Sequence, residues 1–134
     1  MQLEAKKNLE EGEAYLAANR ARPKVITTSS GLQYEVLIEG RGEKPKLQDT
    51  VRVHYEGTLI NGSVFDSSYQ RGQPTEFSLE YIIPGFAEGL QLMREGSTYR
   101  LFIPPNLAYG SAGNGPIPPN ATLIFRIELL SIVR

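Results

Sequence analysis

Residues 50–59 read Thr50-Val51-Arg52-Val53-His54-Tyr55-Glu56-Gly57-Thr58-Leu59, and this stretch decides the fold. Val51, Val53 and Tyr55 alternate with Arg52, His54 and Glu56, the period of two expected of a strand with one buried face. Tyr55 therefore belongs to the apolar face and His54 to the other. Working outward, the same enrichment in β-branched and aromatic residues recurs at 32–38, 75–79, 99–103 and 122–133, each segment bounded by turn formers. In the last of them Leu123, Phe125, Ile127 and Leu129 share one face. A mostly antiparallel sheet is the expectation for the body of the chain.

Two segments depart from strand periodicity. Residues 82–93, IIPGFAEGLQLM, place Pro84 where a first helical turn tolerates it, with Phe86, Leu90 and Met93 at helical spacing, so one short amphipathic helix should pack on the sheet. Residues 1–22 are rich in Ala, Leu, Glu and Lys and read as a second helix that Pro23 ends. Its apolar stripe, Leu9, Gly12, Tyr15 and Leu16, is thin. That leaves two readings, a solvated helix or tail, or the end of a longer helix that pairs with another chain. The polar run 27–31 (TTSSG) reads as a link. The expected division is an N-terminal helix, residues 1–22, and a folded domain, residues 23–134.

Composition removes most function classes. With 134 residues the chain makes one domain of common size. Fourteen Lys and Arg against fifteen Asp and Glu, with no basic concentration, argue against a nucleic-acid partner. No run of about 18 apolar residues is long enough to span a membrane as a helix, and the N-terminus lacks the apolar segment of a secretory signal. The absence of Cys excludes disulfides, thiolate metal sites and cysteine nucleophiles, and a single His leaves almost nothing for a transition-metal site or a histidine triad. The expectation is that neither a metal nor another cofactor takes part.

What remains is apolar. Tyr55, Phe65, Ile82, Ile83, Phe86, Tyr109, Ile117 and Phe125 stand beside turns, and they either line one pocket or form plain core; periodicity does not separate the two. Residues 104–120 (PPNLAYGSAGNGPIPPN) hold five Pro and three Gly, the composition of a rigid binding loop. Asp66, in the turn-rich stretch 61–68, is either a general acid or base or a solvated turn carboxylate.

The segments VRVHYEGTLINGSVFDSS (51–68), IIPGF (82–86) and LAYGSAGNGPIPPNATLIFRIELL (107–130) resemble, in order and spacing, the signatures of FKBP-type peptidyl-prolyl cis/trans isomerases. The likeness extends over about residues 31–133, and the residues before it resemble the bacterial Mip-like subgroup, in which a helix precedes the isomerase domain. The resemblance implies an α+β fold: a half-wrapped antiparallel sheet of five or six strands around one short α-helix, preceded by an N-terminal helix. It implies acceleration of Xaa-Pro rotation in an apolar cleft, without a cofactor. Carried over motif by motif, Tyr55, Phe65, Asp66, Ile82, Ile83, Phe86, Tyr109, Ile117 and Phe125 would line that cleft. Asp66 would be a hydrogen-bonding wall residue, and the Ile83 N–H and the Tyr109 hydroxyl would bond substrate carbonyls. In two places the sequence departs from the pattern. Phe86 stands where many relatives have Trp, and Thr75 where some carry another pocket aromatic, which opens one wall and bears on the affinity for rapamycin- or tacrolimus-type macrolides.

The implied partners are proline-containing polypeptides, and the competing reading is a proline-segment-binding chaperone module with little isomerase activity. A structural dimerisation protein, with the cleft as a relic, is the third reading. In Mip-like relatives a long N-terminal helix mediates dimerisation, whereas this chain carries only its last turns, so a homodimer is expected only of a longer form. The abrupt start reads as a piece of a longer protein, from a bacterial periplasm or cell envelope, with the cytoplasm as the alternative.

Overall fold

In the computed structural model, which describes residues 2–134, the elements in chain order are α1 (Gln2–Arg20), β1 (Ile26–Thr27), β2 (Gln33–Ile38), β3 (Thr50–Leu59), β4 (Val64–Ser67), α2 (Ser68–Arg71), β5 (Thr75–Ser78), α3 (Pro84–Leu92), β6 (Thr98–Ile103) and β7 (Leu123–Val133). Met1, the first residue of the expected N-terminal helix, lies outside the described residues. The strands form one antiparallel sheet in the order β1-β2-β6-β7-β3-β4. β5 also pairs with β3, along its first half at Thr50–Val53, while β4 takes the second half at Glu56–Thr58. Seven strands among the described residues thus occupy six positions across the sheet, which reconciles them with the five or six expected.

β3 and β7 run together over their whole lengths, from Thr50 opposite Val133 to Leu59 opposite Leu123. Their inward residues, Val51, Val53 and Tyr55 on β3 and Leu123, Phe125, Ile127 and Leu129 on β7, are all buried, as the period of two requires. α3 lies on this inner face with Pro84 in its first turn. A Cβ at Gly85 would strike Ile103 and one at Gly89 would strike Leu101, so two glycines four residues apart let the helix sit close on β6.

α1 packs on the opposite face of the same sheet. The Tyr15 ring lies 6.4 Å from that of Phe102, and the Arg22 guanidinium stands 5.6 Å above Phe102. The Asn19 amide donates to Gln33 Oε1 at 2.8 Å, and the Gln33 amide donates to the Leu16 carbonyl at 3.0 Å. Arg22 also reaches Glu35, which Arg100 holds from the other side. The solvated-tail reading of this segment is therefore corrected. Its thin apolar stripe suffices because buried amides supplement it, and Phe102, which strand alternation turns away from the core, needs a cover.

Three smaller differences have local causes. Thr27, the first residue of the expected link, instead pairs with β2 together with Ile26. Residues 64–67 form β4 inside the stretch read as turn, and α2 follows at once; both are too short to show periodicity.

Candidate functional site

Burying Tyr55 against Phe125 starts an aromatic cluster. Tyr55, on β3, meets the rings of Phe77 at 5.4 Å, Phe86 at 5.9 Å and Phe125 at 6.2 Å, and Phe86 stands edge-on to Phe125 at 4.8 Å. Phe65, on β4, closes the row edge-on to Phe125 at 5.5 Å. Gly57 makes room for it: a Cβ there would run into both rings, so glycine in the middle of β3 is a packing requirement. Such tilted and T-shaped pairs stabilise by about 0.5–1.5 kcal/mol each beyond burial.

These rings floor an open cleft of about 480 Å³, lined by Tyr55, Phe65, Asp66, Phe77, Tyr81, Ile82, Ile83, Phe86, Tyr109 and Phe125. Eight of the nine residues singled out in the sequence therefore meet in one place. The ninth, Ile117, does not line it. It is buried in the core because Asn114 and Ile117 exchange backbone hydrogen bonds of 2.9 Å, and the tight turn folds the side chain inward. Two lining residues escaped the sequence reading. Phe77 follows Thr75 by two positions on β5, so it shares that residue's face, and its ring adds an aromatic to the cleft, 5.4 Å from that of Phe86. Tyr81, almost fully exposed, stands at the rim.

The polar side of the cleft is self-contained. Tyr55 Oη donates to Asp66 Oδ2 at 2.5 Å; Arg71 Nη1 donates to Asp66 Oδ1 at 2.5 Å, and its Nη2 donates to Tyr55 Oη at 3.1 Å and to Thr75 Oγ1 at 2.9 Å. Arg71 was not found from the sequence. It arrives on α2, where Ser67 caps the Gln70 N–H and Gly72 closes the helix in the left-handed conformation. That Ser-x-x-x-x-Gly frame was the available signal. The Ser68 hydroxyl fixes α2 to β3, accepting from the Tyr55 N–H at 2.7 Å and donating to the Tyr55 carbonyl.

The electrostatics follow from the pairing. Burial pushes Asp66 upward, but the Tyr55 hydrogen bond and the Arg71 guanidinium outweigh it and hold the carboxyl below its usual range. Burial, with the bond to Asp66, raises the Tyr55 phenol above its ordinary value. Asp66 is thus an ionised acceptor with both oxygens engaged, poorly suited to take a proton from a substrate. Ile83, just before α3, also lines the cleft, and its N–H donates to no backbone group among the described residues.

Residues 41–130 match the FKBP-type peptidyl-prolyl cis-trans isomerase family, and residues 1–36 match the domain found amino-terminal to such isomerases. The chain belongs to the FKBP-type isomerase family. It is 53% identical over 129 residues to FkpA, an FKBP-type peptidyl-prolyl cis-trans isomerase of Aeromonas hydrophila, covering 96% of this chain and 48% of that one. Over 129 residues it is 49% identical to the outer membrane protein MIP of Legionella longbeachae, covering 96% and 55%. The crystal structure of FkpA from Escherichia coli superposes with a TM-score of 0.96 at 47% identity, over 98% of this chain and 62% of that one. A peptidyl-prolyl cis-trans isomerase from Pseudomonas syringae pv. tomato gives a TM-score of 0.90 at 35% identity, over 97% and 96%. The chain spans about half the length of the FkpA and MIP relatives. Like the E. coli FkpA structure, this FKBP-type chain joins an N-terminal helix to an antiparallel sheet that holds a short helix.

Proposed function

We propose that this chain accelerates cis/trans rotation about Xaa-Pro bonds in polypeptides, and that the ten-residue cleft is where it does so. The observation that carries this reading is an apolar aromatic cleft whose one carboxylate is already committed to Tyr55 and Arg71. Such a site is built for a reaction that moves no proton and forms no covalent bond.

The barrier to amide rotation, about 18–20 kcal/mol, is resonance energy lost as the C–N bond twists. The planar imide is the more charge-separated form, so transfer from water onto Phe65, Phe86 and Phe125 disfavours it relative to the twisted one. The Ile83 N–H and the Tyr109 hydroxyl would hold substrate carbonyls on either side of the proline. Lowering the barrier by about 5–8 kcal/mol gives a rate increase of about four to six decades.

This reading treats residues 23–134 as the isomerase domain and residues 1–22 as its helical arm. α1 spends its buried side chains on its own sheet, which supports a single copy as the working unit; pairing of copies would fall to a longer helix. Proline-containing segments are the partners, rapamycin- or tacrolimus-type macrolides are ligands of the same cleft, and the bacterial envelope is the compartment, a placement supported by the MIP relative's name. The test is cis-to-trans relaxation of a short Leu-Pro peptide, about 10–100 s unaided. Acceleration abolished by rapamycin is expected. A folded sample that binds the peptide without accelerating it would establish the chaperone reading instead.

A further inference from the structure

Tyr109 sits on a wall of the cleft that has little core of its own. Between residues 104 and 120 only Ile117 is buried. Leu107, Ala108 and Tyr109 pack only partly buried against the edge of the core, and polar bonds add to that hold: the Gly110 N–H donates to the Pro105 carbonyl at 2.9 Å, and the Asn120 N–H donates to the Gly110 carbonyl at 2.8 Å. Two more bonds leave the loop for α1. Asn8 Nδ2 donates to the Pro119 carbonyl at 2.9 Å, and Asn120 Nδ2 donates to the Ala5 carbonyl at 3.1 Å.

Asn120 is the junction of this chain of bonds. Its φ of 54° makes it the one non-glycine residue in the left-handed region among the described residues, a conformation that few L-residues other than Asn and Asp adopt readily. In that conformation its backbone N–H points back to Gly110, next to Tyr109, while its side-chain amide reaches α1. Gly12 of α1 sits tight on Thr122, just past the loop, but toward Pro104 a cavity of about 280 Å³ opens between Leu9, Glu13 and Leu16 on one side and Pro104, Pro105 and Asn106 on the other. The contact of the helix with the loop is therefore concentrated near Asn8, Asn120 and the Gly12–Thr122 approach, not spread along the whole loop.

We propose that Asn120, with Asn8 as its second anchor, is a positioning residue of the isomerase site: it ties the loop carrying Tyr109 to α1, so that the N-terminal helix sets the placement of the Tyr109 hydroxyl. This rests on the isomerase reading above. A hydrogen bond of ordinary net strength corresponds to a factor of about three to ten, and that is the loss in kcat/KM expected when an anchor is removed.

The test uses the full chain. Asn120→Gly deletes the side-chain amide while keeping a residue at ease at positive φ, and Asn8→Ala removes the second bond. Each should lower kcat/KM for a Leu-Pro peptide, and the loss should vanish when Tyr109→Phe is already present, because the hydroxyl that the anchors place is then gone. Unchanged kcat/KM in folded variants, or the same fold-loss with and without the Tyr109 hydroxyl, would overturn the proposal. Amide hydrogen exchange at Gly110 gives a readout independent of activity. It should quicken by about the same factor in Asn120→Gly, and unaltered exchange would sink the anchoring idea even if the chain proved to be no isomerase.

Discussion

The two walls of the cleft are held in place by different physics. On the sheet side, Tyr55, Phe86 and Phe125 are each no more than 5% exposed, so the rings that would meet a substrate are also the rings that hold β3, β7 and α3 together. On the loop side, Tyr109 is only partly buried, packed at the edge of the core in a segment that also carries a run of hydrogen bonds ending on α1. The first wall is stiff because moving it opens the core; the second combines lighter packing with hydrogen bonds that can be removed one at a time. A site built this way keeps its apolar floor fixed while the orientation of one hydroxyl stays adjustable, and the two walls should answer mutation differently.

The sharpest attempt to break that contrast is Phe125→Ala. Truncating a buried ring costs about 3–5 kcal/mol of stability, and the same ring floors the cleft. Calorimetry should show the full loss, and kcat/KM measured well below the variant's melting temperature should fall by more than an order of magnitude. Retained activity in the folded variant would make Phe125 plain core. Next in size is Gly57→Ala, whose methyl group would collide with Phe65 and Phe125. Overpacking of this kind costs about 1–3 kcal/mol, so both the melting temperature and macrolide affinity should drop. Tyr109→Phe, on the other wall, should lower kcat/KM several-fold with little change in melting temperature. Parallel losses there would mean that the loop wall is also core.

The strands were legible because each long one buries a single face, so burial writes itself into the sequence as alternation: residues 50–59 and the inward set Leu123 to Leu129 could be assigned from periodicity alone. The cleft was legible mainly through motif resemblance, since periodicity cannot tell a pocket aromatic from a core one, and here Tyr55, Phe86 and Phe125 are both. What escaped was short or long-range. Arg71 sits on a four-residue helix that shows no period. Phe77 was passed over for Thr75 although the two share a face. The docking of α1 uses Asn8, Asn19 and Asn120, whose amides carry no periodic signal and find their partners, the Pro119 carbonyl, Gln33 and the Ala5 carbonyl, only in the folded chain.

The smallest expected effect separates the walls by pH. The carboxyl of Asp66 titrates below its ordinary value in the folded protein, so its contribution to stability is fully present above the unfolded value, about 3.9, and is lost as pH falls through the lower folded one. The Tyr55 phenol is raised, so it stays protonated throughout the neutral range and keeps donating to Asp66. The sheet-side network should therefore add no titration to kcat/KM between about pH 5 and 9, given ordinary values near 4 and 10 for the two groups. Because His54 shares a hydrogen bond with Ser68, which in turn holds the Tyr55 backbone, the profile is best recorded in His54→Gln, which removes the one imidazole of the chain. A flat profile in that variant, with stability falling only at the acid end, fits an Asp66 that serves as a fixed acceptor. A bell in the neutral range would mean that a carboxyl or phenol of the cleft moves a proton during turnover, and the proton-free mechanism would have to be abandoned.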